Sequence, residues 1–362
     1  MESKQLKQAL DVIWFQRLIR TITDEFSDYP NTQVWQAFEQ ADWPSLSLMQ
    51  RVQAAARLLY PPLVALQANE AARWQGLLAS AADFKGLAGL VFPQMVMDYP
   101  PESFDLSMQV LAKLTEYSSA EFAIRPFIEQ DASRTLAQMQ AWSHSENHHL
   151  RRLASEGCRP RLPWGKALNQ FKQDPTPILP ILQNLIHDPS LYVRKSVANN
   201  LNDIGKDHPE VLLTFCQAWL GTSTEADWII KHASRNLLKQ REPRFLALLS
   251  LPNTEHIELL NWHSDAQVKL GEALHYAFEL QAAEVLGRLR VEIQVDYPRP
   301  SGVPLRKVFK LAEADYAVAH KKISKTLSFK PLTTRVYYPG QHKIQLVING
   351  EIKHQAWFEV IV

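Results

Sequence analysis

The sequence predicts a mainly α protein: a HEAT-like helical-repeat solenoid followed by a small antiparallel β-sandwich of immunoglobulin-like architecture. Three observations carry that expectation. A basic helical motif recurs at spacings of 43 and 37 residues, near the roughly 40–47 of HEAT-type repeats. Strand-like alternation is absent before about Val285, where apolar residues recur three and four apart. Beyond it, apolar and polar residues alternate with period two. The expected domains are therefore residues 1–284 and 285–362. Charge divides the same way. Residues 285–362 hold 13 Lys+Arg against 6 Asp+Glu, a net of +7, and the remainder is net −6. A basic segment of that kind suits a polyanionic partner, or a solvated lysine-rich face.

In chain order, Leu48 to Tyr60 reads as a helix stopped by Pro61-Pro62, and Leu106 to Ile124 as another. Turns such as Tyr99-Pro100-Pro101 separate the helices. The repeat follows. Residues 150–156 (LRRLASE) align with 193–199 (VRKSVAN) and, more faintly, with 230–236 (IKHASRN). In the middle copy Asp188 can cap a helix opening at Pro189, Gly205 can end it, and Asp207-His208-Pro209 can open the next. Each such unit buries its apolar face only against its neighbours, which gives a superhelix with a concave surface. In the β region, Leu289 to Val295 and Lys343 to Ile348 alternate, and Asn349-Gly350 joins the latter to Glu351 through Val362 as a hairpin. Thr326 to Phe329 and Thr334 to Tyr338 supply further strands.

Several function classes drop out. Two cysteines, Cys158 and Cys216, preclude a disulfide framework or a four-cysteine zinc site. Twelve glycines include neither a dinucleotide nor a P-loop fingerprint. No basic start followed by an apolar block suggests a signal peptide, and no apolar run nears the roughly 18 residues of a membrane span. A soluble intracellular protein is expected.

Arg151, Arg152, Arg194, Lys195, Lys231 and Arg235 recur at comparable repeat positions and would line one face, where they could track a phosphate backbone. One arginine per repeat is instead expected in an internal ladder of ion pairs. Arg152 and Glu156, four apart, can pair on a helix face. Glu156 nevertheless sits in a last helical turn, where the macrodipole disfavours an anion, and Asp203 sits similarly before Gly205 on the same predicted face. Two carboxylates so placed suggest a local negative charge with a use. The proline-broken loop after Glu156 carries Arg159, Arg161 and Lys166 around Trp164, an aromatic and basic setting suited to touching a nucleotide. His144, His148 and His149 read as solvated or phosphate-contacting residues rather than metal ligands.

The run 149–164 (HLRRLASEGCRPRLPW), with 188–210, 228–239 and 117–125, closely resembles the AlkC branch of the AlkD-like DNA alkylation-repair glycosylases. Some members of that branch carry a C-terminal immunoglobulin-like domain. The resemblance implies a monofunctional glycosylase that excises cationic N-alkylated bases such as 3-methyladenine and 3-methylcytosine, for base excision repair. By the family pattern the acidic residues carry over to Glu121, Glu156 and Asp203, and the aromatic to Trp164. It implies no cofactor, metal or Schiff-base lysine. The expected partner is double-stranded DNA containing alkylated bases. No membrane and no obligate protein partner are expected, and the chain would act as a monomer in the bacterial cytoplasm, associated with the nucleoid. The chemistry agrees, because a cationic base leaves neutral and needs no general acid, whereas the sugar cation needs a carboxylate. A non-catalytic scaffold binding nucleic acid or protein would share the solenoid and the basic stripe. A sensor of damaged bases would bind alkylated DNA but release nothing. The basic β domain is expected to close over the far side of the duplex, with Arg299, Lys307, Lys310, Lys321, Lys322 and Lys325 as phosphate contacts.

Overall fold

The computed structural model describes residues 6–331 and 336–362. Contacts divide the chain into two compact units, Met1–Ala233 and Ser234–Val362. The first unit is helical: α1 (Val12–Glu25), α2 (Asn31–Glu39), α3 (Leu48–Leu66), α4 (Glu70–Ala81), α5 (Val91–Asp98), α6 (Phe104–Tyr117), α7 (Arg125–Gln130), α8 (Ala132–Ser143), α9 (His148–Gly157), α10 (Asn169–Gln173), α11 (Leu179–Asn184), α12 (Leu191–Asp207), α13 (Pro209–Trp219) and α14 (Thr224–Ala233). Asp11, Asn69, Ser103, Asp131 and Asn147 cap five of these by accepting a backbone N–H of the first turn. Among the described residues no helix is long and apolar enough to cross a membrane.

The repeat is visible as packing. Its three copies lie on α9, α12 and α14 or just beyond it, and α12 packs against both of the others. Ser155 donates to or accepts from Ser196 at 2.7 Å where α9 meets α12. The expected ladder of ion pairs has a rung at Arg151 and Asp188, whereas the bonds of Arg194 run to backbone carbonyls. Arg151 donates to the carbonyls of Ser145 and Glu146, six and five residues back, at 2.9 and 2.8 Å. Arg194 does the same to Asp188 and Pro189, at 2.9 Å each. Arg151 also grips Asp188 through two bonds of 2.6 and 3.2 Å, joining one repeat to the next.

Local signals were overridden at four helix ends. Pro61 and Pro62 do not stop α3, which continues to Leu66 because Leu59, Tyr60 and Leu63 are buried in one continuous face. That packing outweighs a proline cost of about 3 kcal/mol. Helix α6 ends at Tyr117 rather than Ile124, with Ser118 capping it, so residues 121–124 form a turn. Ser190 occupies the N-cap of α12, and Asp188 accepts from its N–H at 2.8 Å instead of capping the helix directly. Gly205 lies inside α12, which runs to Asp207 with Gly205 buried.

The second unit opens with two short helices, α15 (Arg235–Lys239) and α16 (Pro243–Leu248). Among the described residues eight strands follow: β1 (Glu258–Ser264), β2 (Gln267–Lys269), β3 (Ala273–Gln281), β4 (Gly287–Tyr297), β5 (Leu305–Tyr316), β6 (His320–Ser328), β7 (Gly340–Ile348) and β8 (Glu351–Ile361). They form sheets of order β1-β3-β6 and β2-β8-β7-β4-β5. Alternate residues of both sheets, such as Leu274, Phe278, Ile323, Val291, Ile293, Leu346 and Phe358, share one apolar core. The β7–β8 hairpin turns on Asn349 and Gly350, whose φ values of 46° and 86° are those a type I′ turn requires.

Strands begin at Glu258, well before Val285. Leu274, Tyr276, Phe278 and Leu280 do alternate inward along β3, but its Ala, Leu and Glu content also suits a helix, and pairing with β1 and β6 decides the outcome. In β1 the alternation is broken by a bulge between Leu260 and His263. The sandwich is also not wholly antiparallel, since β2 runs parallel to β8. Of the expected strand Thr334 to Tyr338, the first two residues lie outside the described residues, and Val336–Tyr338 are in no strand.

His342 is fully buried among Tyr297, Phe329 and Phe358. Its Nδ1 donates to the Gly340 carbonyl at 2.9 Å, and among the described residues its Nε2 has no partner. Burial pushes its pKa down, so the folded state holds it neutral. The unfolded chain takes up a proton below about pH 6.5, and the fold loses stability as pH falls from there toward the depressed value. Thermal midpoints at pH 7.5 and 5.5 should therefore differ less in His342→Gln than in the wild type.

Candidate active site

Three carboxylates and three cations alternate through the first unit: Glu121, Arg152, Glu156, Arg159, Asp203 and Lys206. Glu121 comes from the turn after α6, Arg152 and Glu156 from α9, Arg159 from the loop that follows, and Asp203 and Lys206 from α12. Arg152 donates to Glu121 Oε2 and to Ser119 Oγ, the latter at 2.5 Å, and lies 3.8 Å from Glu156 Oε1. Arg159 donates to Glu156 Oε1 at 2.6 Å and to Asp203 Oδ2 at 2.9 Å. Lys206 donates to Asp203 Oδ1 at 2.8 Å. All three carboxylates are buried. Burial opposes the charge on Arg152, but Glu121 and Glu156 outweigh it and raise its pKa; Glu156 and Asp203 do the same for Arg159.

Beside this chain of charges is a cavity of about 550 Å³, lined by Tyr117, Ser119, Glu121, Phe122, His149, Glu156, Trp164 and Tyr192 among others. Two of the carboxylates line it; Arg152, Arg159, Asp203 and Lys206 do not. Among the described residues, Glu121 Oε1 and Glu156 Oε2 accept no hydrogen bond, whereas both Asp203 oxygens are taken. The negative ends of the ion pairs therefore face the cavity. Tyr192 stands over the Arg152 guanidinium at 5.3 Å. Burial, His148 and Arg152 lower the pKa of His149, which keeps that ring from adding positive charge at neutral pH.

Trp164 is 67% exposed and has φ 65°, a left-handed conformation that costs a non-glycine residue about 1 kcal/mol. Its loop is fixed from beneath. Arg125 donates to the carbonyls of Gly157 and Arg159 at 2.9 Å each, and to that of Lys166 at 2.9 and 2.5 Å. Burial lowers the Arg125 pKa to about 10. An indole held open to solvent at the mouth of an acidic cavity can stack on a base.

The other expected contacts divide. Arg152 and Arg159 are sunk in the carboxylate chain, and Arg194 bonds backbone carbonyls and lies 5.9 Å from the Trp228 ring, so none of the three presents an open guanidinium to a phosphate. Arg161 pairs with Asp207 at 2.6 Å and Lys166 with Glu129 at 2.9 Å, both near the surface. Lys195 is exposed, and Lys231 and Arg235 are half-buried. Cys158 is wholly buried, which pushes its thiol pKa up to about 12. His144 bonds Asn184, and the rings of His148 and His149 pack against Tyr192. Sequence reasoning missed Arg125 as the loop clamp and Tyr192 as a wall of the cavity. The available signal for Tyr192 was an aromatic residue just ahead of the basic pair of a repeat helix.

Residues 81–237 match the family described as DNA alkylation repair enzyme, and residues 260–362 match the C-terminal Ig-like domain of the uncharacterised protein YhaZ. Over 357 residues the chain is 40% identical to the uncharacterized protein YhaZ of Bacillus subtilis (strain 168), covering 98% of this chain and 99% of that one. A solved structure of the alkylpurine DNA glycosylase AlkC of Pseudomonas fluorescens, bound to DNA containing an abasic site analog, superposes with a TM-score of 0.92 at 36% identity. That match covers 99% of both chains.

Proposed function

The chain belongs to the AlkC branch of the DNA alkylation repair enzymes, and from that premise we propose that it hydrolyses the N-glycosidic bond of cationic N-alkylated bases in DNA. The observation that carries the mechanism is the orientation of the charge chain, with Glu121 and Glu156 facing the cavity and their guanidinium partners behind them. As the C1′–N bond breaks, its electron pair neutralises the cationic base, and positive charge builds on the deoxyribose. Carboxylates already held in place stabilise that charge without having to reorganise. Glu156 Oε2 is available to orient the water that adds to C1′ and to accept its proton. Arg159 and Arg152 position the carboxylates, and Asp203 acts through Arg159. Trp164 stacks on the lesion or its neighbour, while Arg161, Lys166 and Lys195 supply peripheral charge toward phosphates. The substrate class includes 3-methylcytosine and 3-methylpurines in duplex DNA, and the chain works as a monomer with no protein partner in a nucleoid-associated, cytoplasmic setting.

Incubation with heavily methylated duplex DNA should release free methylated bases in a time-dependent manner, equally fast with and without a metal chelator. Absence of any free base from the wild-type protein would overturn the proposal.

A further inference from the structure

A second cavity in the first unit, of about 240 Å³, shares Phe122 and Trp164 with the catalytic one as common walls. Helix α3 supplies Met49 and Gln53 to it, α5 supplies Gln94 and Met97, and α7 supplies Arg125. That volume is below the roughly 300–1,000 Å³ of sites for drug-sized ligands and suits a single flat heterocycle. Aromatic and thioether side chains are surfaces on which such a ring packs. Polar groups remain free beside them. Gln94 is buried and its amide nitrogen donates to Asp98 Oδ1 at 2.9 Å, while its Oε1 accepts nothing among the described residues. Gln53 is half-buried, and among the described residues its amide makes no hydrogen bond.

The two cavities differ in the sign of their charge. Glu121 and Glu156 line the catalytic one, where they attract a cationic base. Arg125 lines the second; it is buried, and its donors go to the carbonyls of Gly157, Arg159 and Lys166. Among the described residues no carboxylate lies within ion-pair distance of that guanidinium, and a pKa of about 10 keeps it charged at neutral pH. The other charges of the lining, Lys166 and Glu129, pair with each other at 2.9 Å. One net positive charge therefore borders the second cavity, which opposes a cation and admits a neutral molecule. Breaking the C1′–N bond makes that same change in the base, from cation to neutral heterocycle.

We propose that this second cavity is a product site that takes the excised base as a neutral heterocycle, its ring against Phe122 or Trp164 and its edge toward Gln53 and Gln94. The identity of the occupant rests on the glycosylase function proposed above, whereas the site itself does not. Equilibrium dialysis of the full chain, without DNA and just above neutral pH, compares free 3-methyladenine with the permanently cationic 3,9-dimethyladeninium. The wild type should bind the neutral base roughly tenfold more tightly than the cation. Met97→Trp, which fills the space, should weaken binding of the neutral base by at least about tenfold, and Gln53→Leu by about two- to tenfold, the loss of one neutral hydrogen bond. Glu121→Gln/Glu156→Gln should leave that binding unchanged, because those carboxylates line the other cavity. Thermal midpoints check that each variant is folded, and Gln53→Leu decides if Met97→Trp is not. Absence of binding by the wild type, wild-type affinity in the folded variants of this cavity, or a preference for the cation would overturn the proposal. So would a loss confined to the carboxylate variant, since the base would then sit in the catalytic cavity. A wild type that holds the free base here yet releases none from methylated DNA would refute the catalytic reading and leave this site standing.

Discussion

Glu156→Gln is expected to lower single-turnover base release by about 10²–10³-fold while affinity for the lesion-bearing duplex stays within about threefold, the scale of losing one well-placed electrostatic stabiliser. The amide keeps the shape and loses the charge that faces the cavity. Arg159 retains Asp203 and Arg152 retains Glu121, so the fold should survive, and the thermal midpoint checks that it has. Glu121→Gln should behave alike, because Glu121 shares the cavity wall and also has an oxygen without a partner. Asp203→Asn should cost less, since Asp203 is saturated by Arg159 and Lys206 and lies off the cavity. Excision by Glu156→Gln at the wild-type rate would remove the carboxylate from the reaction.

Arg159→Met is expected to destabilise the protein by about 3–5 kcal/mol, because it strips the close partner from one buried carboxylate and one of two from another. The Arg159 side chain is 8% exposed, so solvent offers little relief. At roughly 2–4 °C per kcal/mol for a unit of this size, the midpoint should fall by about 10 °C. Arg161→Met removes a surface pair with Asp207 and should cost less than about 1 kcal/mol. Equal midpoints for the two variants would place Arg159 outside the network that positions the carboxylates.

Much of this was legible in the residues. The repeat spacing located α9 and α12 and with them Glu156 and Asp203, and the Arg152–Glu156 spacing foretold their proximity on a helix face. The role of Arg159 was not legible. In sequence it belongs to a basic loop, and only the fold carries it between two acids 47 residues apart along the chain. Glu121 was expected in a helix that ends early at Ser118, so its approach to Arg152 depends on a turn that no periodicity marks. In the second unit the Asn349-Gly350 turn specifies its hairpin locally, whereas β1 and β3 exist through long-range pairing that outweighs helix-forming composition.

The most direct measurement follows one turnover on a duplex carrying a single 3-methylated base, counting both products for the wild type and for Glu121→Gln/Glu156→Gln. The wild type should yield free methylated base and an unbroken strand bearing an abasic site in equal amounts, with the double variant bound to DNA but slower by more than about 10²-fold. Free base formed at the same rate by both proteins, or strand cleavage accompanying base loss in the absence of added base or heat, would contradict hydrolysis driven by this carboxylate pair.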